Sequence, residues 1–261
     1  MLKYQFSFSV KKEVLSVAAA IAAAFAPAVN AQEGIPTPIK GWYATAGVGG
    51  SWALSPSFSS SGSGVAQGFA WTSSTTGTAG AGGGVAVEAG AGYDFGNNIR
   101  AELTYIYNNH AATRGSFSGT ATSAGFNIPY NGSYSPNGSI STNSIFASGY
   151  YDIPTKSRFR PYVGAGLGWT SVSSPRIPLT FTGTVGGVNF TGDATSDSGS
   201  ASAFGYQAKV GVSYLANKAT DVFLEGTYQG NTSVTISGVS IGGLNDFGVR
   251  AGLRYRFGKN N

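Results

Sequence analysis

The C-terminal stretch of the chain alternates between two kinds of side chain, and this alternation limits what the chain can fold into. One face would carry Phe247, Val249, Ala251, Leu253, Tyr255 and Phe257, and the other Asp246, Gly248, Arg250, Gly252, Arg254 and Arg256. Successive side chains of a β-strand point to opposite faces. A strand with one apolar face and one face of arginines is out of place in a soluble sheet. It suits the wall of a transmembrane β-barrel, which is apolar toward lipid and polar inside.

Seven further stretches show the same period of two. They cover Trp42–Trp52, Val85–Phe95, Ile99–Tyr107, Ile145–Ile153, Phe159–Trp169, Phe204–Tyr214 and Val222–Tyr228. A tilted strand crosses a bilayer with roughly 9–11 residues, which is about the length of these stretches. We therefore predict an all-β fold, an eight-stranded antiparallel up-and-down transmembrane barrel. A barrel of ten strands and a soluble β-sandwich are the alternatives.

The connections between these stretches alternate in length. Those around Asn97, Lys156 and Asn217 are short, and the four others are long and rich in Gly, Ser, Thr and Asn. Short periplasmic turns and long extracellular loops are typical of outer-membrane barrels, so we expect four long extracellular loops. Parts of these loops also alternate, namely Phe117–Ile128, Thr180–Thr191 and Ser233–Ile241. We expect several strands to continue beyond the membrane as hairpins.

The N-terminus has the features of a secretory signal peptide. Lys3, Lys11 and Lys12 precede an apolar, Ala-rich stretch, and small residues end at Ala31, where cleavage is expected. The predicted organisation is a signal peptide over residues 1–31, a short periplasmic leader over 32–40 and an outer-membrane β-barrel domain over 41–261. Such a protein would reside in the outer membrane of a Gram-negative-type bacterium.

Charge and cysteine content exclude several classes of function. The chain has 16 basic and 11 acidic residues, and without the three Lys and one Glu of the signal it keeps 13 and 10, a net charge of +3. No run of Lys and Arg is present, so we expect no nucleic-acid partner. The chain has no cysteine and one histidine, so neither a metal centre nor another cofactor is indicated. The expected partners are membrane lipid and lipopolysaccharide.

Aromatic residues sort to the two ends of the outward-facing sets. Trp42, Tyr151, Tyr214, Tyr255 and Phe257 fall at the end of the short turns, and Trp52, Tyr105 and Trp169 fall at the end of the long loops. Aromatic belts at both membrane interfaces have this distribution.

The inward-facing sets contain six acidic and six basic residues, and buried charges are costly unless they are paired. The acids are Glu88, Asp94, Glu102, Asp152, Glu225 and Asp246, and the bases are Arg100, Arg160, Lys209, Arg250, Arg254 and Arg256. We predict a central network of Glu88, Glu102, Lys209, Glu225 and Arg250. If the short turns centre on Asn97, Lys156 and Asn217, Asp94 lies opposite Arg100, Asp152 opposite Arg160, and Lys209 opposite Glu225. The first two would be pairs at the periplasmic end.

Four motifs of the chain are RPYVGAGLGW at 160–169, Gly41-Trp42-Tyr43, Gly149-Tyr150-Tyr151-Asp152 and Arg254-Tyr255-Arg256-Phe257. They resemble strands of the small outer-membrane barrel and surface-antigen families, which include opacity proteins and the barrel of outer-membrane protein A. The resemblance covers about residues 41–257. It implies an eight-stranded barrel that is assembled by the outer-membrane insertion machinery, which reads a C-terminal aromatic residue. Here four residues follow Phe257. The family's members serve as adhesins, surface antigens, envelope-stabilising proteins and small pores.

Three functions follow from these observations. The first is a surface antigen, adhesion or envelope-structural protein with a largely closed, charge-paired interior, whose loops would contact a host or surface ligand. The contact aromatics would be Phe69, Trp71, Tyr130, Tyr134 and Phe190, unless they pack the loop hairpins on one another. The second is a small ion or solute channel. The third is an enzyme acting on envelope lipids.

The enzyme alternative and a weak metal site each depend on a few residues. His110 lies near Ser116 in sequence, but no acidic residue is close to them, so we predict no enzyme and expect His110 to be a solvated loop residue. Asp193 and Asp197 could bind Ca²⁺ weakly through their carboxylate oxygens, and a solvated pair is the simpler interpretation.

Overall fold

The computed structural model describes residues 35–66, 68–136, 138–185 and 188–257. The predicted signal peptide and its cleavage after Ala31 lie outside the described residues and stay predictions. Residues 35–40 precede the first strand and have no regular secondary structure.

Within the described ranges the chain forms fourteen β-strands. They are β1 (Gly41–Ala53), β2 (Ser57–Ala66), β3 (Phe69–Asp94), β4 (Ile99–Ser123), β5 (Phe126–Tyr134), β6 (Ser139–Asp152), β7 (Phe159–Ser174), β8 (Ile177–Val185), β9 (Val188–Ser196), β10 (Gly199–Leu215), β11 (Thr220–Asn231), β12 (Val234–Ile236), β13 (Val239–Ile241) and β14 (Asn245–Phe257).

Eight of these strands pair antiparallel in a closed ring. Its order is β1, β3, β4, β6, β7, β10, β11 and β14, and the ring closes because β14 also pairs with β1 along its length, from Trp42 opposite Phe257 to Ala53 opposite Asp246. The predicted antiparallel barrel is confirmed. The ring has eight strands, and the six other strands lie in the long connections.

The long connections fold into a second sheet, as the alternation inside them predicts. Its strand order is β12, β13, β2, β3, β4, β5, β8 and β9, and we call it the hairpin sheet. Strands β3 and β4, with 26 and 25 residues, belong to both the ring and the hairpin sheet. Two register shifts, between Thr78 and Gly80 and between Ala81 and Gly84, interrupt their pairing. Such bulges bend a strand pair, and here they separate the two sheets.

The faces of the ring strands follow the sequence alternation. Large apolar side chains on the outside are exposed, for example Val48 at 59%, Leu103 at 58% and Leu167 at 59%. The alternate positions are mostly buried and carry polar, charged and glycine residues together with aromatic side chains such as Tyr150, Tyr162 and Phe223. Gly211 shows why glycine is needed there: a Cβ atom at this position would lie 2.6 Å from the ring of Tyr162. We call the interior of the ring the lumen, its end at the three short turns the turn end, and the opposite end the hairpin end.

Candidate functional site

The lumen holds a group of six charged side chains near the turn end, which we call the turn-end cluster. It consists of Asp94, Asp152, Asp221, Arg100, Arg254 and Arg256, all of them buried. Asp221 accepts from Nη1 of Arg254 at 2.8 Å and from Nη1 of Arg256 at 3.0 Å. Arg256 Nε also lies 3.3 Å from Oδ2 of Asp94. Three acids and three bases therefore balance one another.

Asp152 binds a different arginine from the one predicted. Arg100 Nε lies 2.9 Å from Oδ2 of Asp152, and Tyr162, not Arg160, is opposite Asp152 in the register. The predicted Asp152–Arg160 pair is wrong because the turn between β6 and β7 is centred one residue later than Lys156. That shift moves the partner by two residues and keeps it on the same face. Arg160 is only half-buried.

The other predicted pair at this end has the expected register. Asp94 lies opposite Arg100, but the ion pair of Asp94 is with Arg256. Long arginine side chains reach past their cross-strand neighbours, so strand register alone does not decide which charges meet.

A second group, the central cluster, comprises Glu88, Lys209, Glu225 and Arg250. Lys209 Nζ lies 2.8 Å from Oε2 of Glu88 and 2.7 Å from Oε1 of Glu225. Arg250 Nη1 donates to the same Glu88 oxygen at 2.9 Å. The structure thus brings together four of the five residues of the predicted network.

Lys209 and Glu225 are in contact, but they are not directly opposite each other in the register as predicted. Lys209 lies opposite Thr227, because the turn between β10 and β11 is also centred one residue later than predicted. The two side chains meet diagonally across the pair of strands instead of directly.

Glu102 is held by hydroxyl groups. It accepts hydrogen bonds from Tyr43 at 3.0 Å, Tyr150 at 3.2 Å and Thr104 at 2.7 Å. Sequence reasoning assigned it to the ion-paired network, but its contacts place it beside that network, among aromatic residues of the lumen.

Asp221 is the buried charge that sequence reasoning missed. It is 0% exposed and binds two arginines. The sequence contained the information, because Asp221 lies two and four positions before Phe223 and Glu225, and alternate positions of a strand share a face. The predicted strand began one residue later, at Val222.

His110 is buried, which corrects the expectation of a solvated loop histidine. Both His110 and Ser51 are 0% exposed, and Nε2 of His110 lies 2.9 Å from Oγ of Ser51. The predicted neighbour Ser116 is exposed on the hairpin sheet. The contact therefore lies in the interior of the ring, away from the solvent.

Asp193 and Asp197 have separate partners. Asp193 accepts from Thr180 at 2.9 Å, and Asp197 pairs with Arg176 at 3.4 Å in an exposed contact. Among the residues that the structure describes, no group of three or more His, Cys, Asp or Glu side chains is placed to hold a metal ion.

Most of the loop aromatics pack within the hairpin sheet. The Tyr130 hydroxyl lies 2.5 Å from Oγ1 of Thr75, and Phe190 contacts Phe181 edge to face. Tyr134 is buried and its hydroxyl donates to the carbonyl oxygen of Thr78, and burial raises its pKa. Trp71 covers glycines of β2, whereas Phe69 remains 59% exposed.

The opposite face of the hairpin sheet carries rows of small polar side chains. One row has one residue on each of five neighbouring strands, and each residue lies opposite the next in the register. The row is Thr76, Ser118, Asn131, Thr182 and Thr191. All five are exposed, and Thr182 Oγ1 donates to Oδ1 of Asn131 at 2.9 Å. This face borders a groove of about 950 Å³, whose lining contains no charged residue. We call it the hydroxyl groove.

The family model for the outer membrane protein beta-barrel domain matches residues 16–257. The chain belongs to this family. The protein is therefore an outer-membrane barrel of a Gram-negative bacterium, and its predicted localisation is confirmed. Closure of the ring satisfies the backbone hydrogen bonds of every ring strand within the membrane. Its apolar outer face is in contact with the lipid and lipopolysaccharide environment of that membrane.

Several solved outer-membrane barrels are among the structures that this chain matches. Neisserial surface protein A (NspA) is 18% identical, covering 83% of this chain and 97% of its own, with a TM-score of 0.44. The outer membrane protein OprG from Pseudomonas aeruginosa is 12% identical, covering 86% and 100%, with a TM-score of 0.40. Among curated proteins, none matches this outer-membrane barrel. Within the described residues, no helix has the length and hydropathy of a membrane span.

Proposed function

We propose that this outer-membrane barrel is a surface protein, an antigen or adhesin, whose closed ring displays the hairpin sheet outside the cell. The distribution of free space supports this function. The hydroxyl groove on the hairpin sheet has a volume of about 950 Å³, whereas the cavity at the hairpin end of the lumen has about 10 Å³. A cavity of that size holds one water molecule.

The orientation of the barrel in the membrane follows from the lengths of the connections between its strands. Short turns of outer-membrane barrels lie in the periplasm and long connections lie outside. The aromatic residues predicted as belts are all exposed on the outer face, with values from 39% for Tyr214 to 65% for Trp42. We infer that they mark the two membrane interfaces, with Trp52, Tyr105 and Trp169 on the extracellular side. The outer-membrane insertion machinery is the expected assembly partner.

The packing of the lumen opposes conduction. The turn-end and central clusters occupy successive depths, and their side chains are at most 7% exposed. Eight strands enclose just enough space for the side chains of the wall, whereas aqueous channels occur in barrels of about 16 strands. The alternative function as a channel would require these ion pairs to separate.

The hydroxyl groove indicates what the displayed surface contacts. Its lining offers Ser, Thr and Asn groups that both donate and accept hydrogen bonds, together with Pro129, Tyr130 and Phe190, and none of its lining residues is charged. A neutral polar ligand on a host or bacterial surface fits this chemistry.

Epitope insertion tests the display. An epitope placed between Ala124 and Gly125, at the tip of the β4–β5 hairpin, should bind antibody on intact cells. The same epitope beside Lys156, in a short turn, should bind only after the outer membrane is permeabilised. The opposite labelling pattern would overturn the orientation.

Two further measurements test the function itself. The purified barrel in planar bilayers should give no reproducible conductance steps, and regular steps would favour the channel. Cells that display the protein should adhere to host cells or to one another, and the double substitution Asn131→Arg with Thr182→Arg should abolish adhesion. Thr235→Arg, an exposed change outside the groove, is the matched control. Equal adhesion by the groove variant would refute a binding role for the groove.

A further inference from the structure

The buried charges of the lumen do not balance. Leaving histidine aside, the described residues include twelve buried charged side chains, seven carboxylates and five cations: Glu88, Asp94, Glu102, Asp152, Asp221, Glu225, Asp246, Arg100, Lys209, Arg250, Arg254 and Arg256. The turn-end cluster contains three of each sign, and the central cluster two of each. Glu102 and Asp246 remain outside both clusters.

These two carboxylates have different surroundings. Glu102 accepts three hydrogen bonds from hydroxyl groups. Asp246 is 4% exposed, and within the described part of the chain its Oδ1 atom is buried without a hydrogen-bond donor. A buried carboxylate oxygen without a donor costs free energy, and a buried charge is costly unless it is paired.

Asp246 lines a small chamber at the hairpin end of the lumen, which we call the Asp246 chamber. The side chains that can supply oxygen atoms to it are Asn108, Thr142, Ser144, Thr170, Gln229, Asn231 and Asp246. All of them are buried. The volume of about 10 Å³ admits a single particle of the size of a water molecule.

The nearby Arg250 forms no ion pair with Asp246 among the described residues. It donates to Glu88 at 2.9 Å, to Oε1 of Gln229 at 2.6 Å and to Oδ1 of Asn108 at 3.3 Å. Gln229 Oε1 also accepts from Asn108 at 3.0 Å. These contacts fix the amides that form one wall of the chamber.

We propose that the Asp246 chamber binds a small monovalent cation such as Na⁺. Hard cations take oxygen ligands from carboxylate, amide and hydroxyl groups. The chamber offers those of Asp246, Asn231, Thr142, Ser144 and Thr170, whereas the amide oxygens of Asn108 and Gln229 already accept from Arg250. A single carboxylate among neutral oxygens matches one positive charge, and the chamber volume matches one ion. The cation supplies the counter-charge for Asp246 and stabilises the hairpin end of the ring, where β14 pairs with both β1 and β11.

Crystallography with an anomalous scatterer locates the ion. Crystals of the full-length barrel exchanged from Na⁺ into Tl⁺ or Rb⁺ should show an anomalous peak within bonding distance of the Asp246 carboxylate. The peak should be absent from the isosteric variant Asp246→Asn. A wild-type chamber without a peak, or a peak of equal height in the variant, would overturn the proposal.

Unfolding by urea in phospholipid vesicles gives an independent readout. Replacing choline by Na⁺ at constant ionic strength should shift the unfolding equilibrium of the wild type toward the folded state by about 100-fold when Na⁺ is 100 times its Kd. Asp246→Asn should lose this response and, in choline, be at least as stable as the wild type, because it no longer buries an unpaired charge. Glu102→Gln, the matched control, should keep the Na⁺ response.

The alternatives are outcomes of the same measurements. A wild type indifferent to Na⁺ would mean that Asp246 is protonated or hydrated, which overturns the proposal. A response to Ca²⁺ but not to Na⁺ would overturn the assignment to a monovalent ion. Conductance and adhesion measurements test the proposed function separately, because neither depends on an ion in this chamber.

Discussion

Replacing Lys209 by Met should be among the most destabilising single changes in the lumen. Lys209 Nζ binds both Glu88 and Glu225, at 2.8 and 2.7 Å, and all three side chains are nearly inaccessible to solvent. Glu88 retains Arg250 in the variant, whereas Glu225 keeps, among the described residues, a hydrogen bond from the hydroxyl of Tyr162 at 2.8 Å. Breaking a buried pair by removing one partner costs about 3–5 kcal/mol. The folding equilibrium constant should therefore fall by roughly two to nearly four orders of magnitude.

The compensating change separates charge from packing. Adding Glu225→Gln to Lys209→Met leaves Glu88 and Arg250 as a balanced pair, so most of the lost stability should return. The four variants form a double-mutant cycle, measured by urea unfolding in vesicles with the fluorescence of the lipid-facing tryptophans. Lys218→Met, in an exposed turn, should change the free energy of unfolding by less than about 0.5 kcal/mol. The reasoning is refuted if Lys209→Met costs under about 1 kcal/mol, or if Glu225→Gln adds to its effect.

Other parts of the ring make similar tests possible. Gly211→Ala places a Cβ atom 2.6 Å from the ring of Tyr162 and should cost about 1–3 kcal/mol, whereas Gly149→Ala, with no neighbour within 4 Å, should be neutral in the same unfolding assay. Val163→Arg, on the lipid face at 47% exposure, should lower stability by about 2–4 kcal/mol in vesicles, and an effect as small as that of Gly149→Ala would contradict its placement in the bilayer. Asp221→Asn leaves two buried arginines of the turn-end cluster short of a counter-charge and should shift the urea midpoint downward, and an unchanged midpoint would show that the cluster does not stabilise the ring.

The fold was largely predictable because its signal is local. The pleat of a strand assigns each side chain to one of two faces regardless of which strand lies beside it. The alternation in the C-terminal stretch therefore placed Arg250, Arg254 and Arg256 inside the ring before any partner was known. The alternation around residues 186–187 likewise predicted the hairpin of β8 and β9, which pair from Ile177 opposite Ser196.

The ion pairs were less predictable because they depend on the register between neighbouring strands and on how far the long side chains extend. Two of the three short turns are centred one residue later than their sequences suggested, which moved the partners of Asp152 and Lys209 by two positions. Arginine side chains then reach across the lumen to strands far away in sequence, as Arg256 does to Asp94, 162 residues away.

The amino-acid sequence by itself determined that the strands have one apolar and one polar face, and hence that the chain forms a wall between lipid and a charged interior. Only the tertiary structure decided which charges meet and that Asp221 joins them. It also decided that Oδ1 of Asp246 has no hydrogen-bond donor among the described residues, beside a chamber of one ion's size. The physical reason is that the face of a side chain is set by its own backbone. Its partners are set by the closure of the ring, which brings together residues from every strand at once.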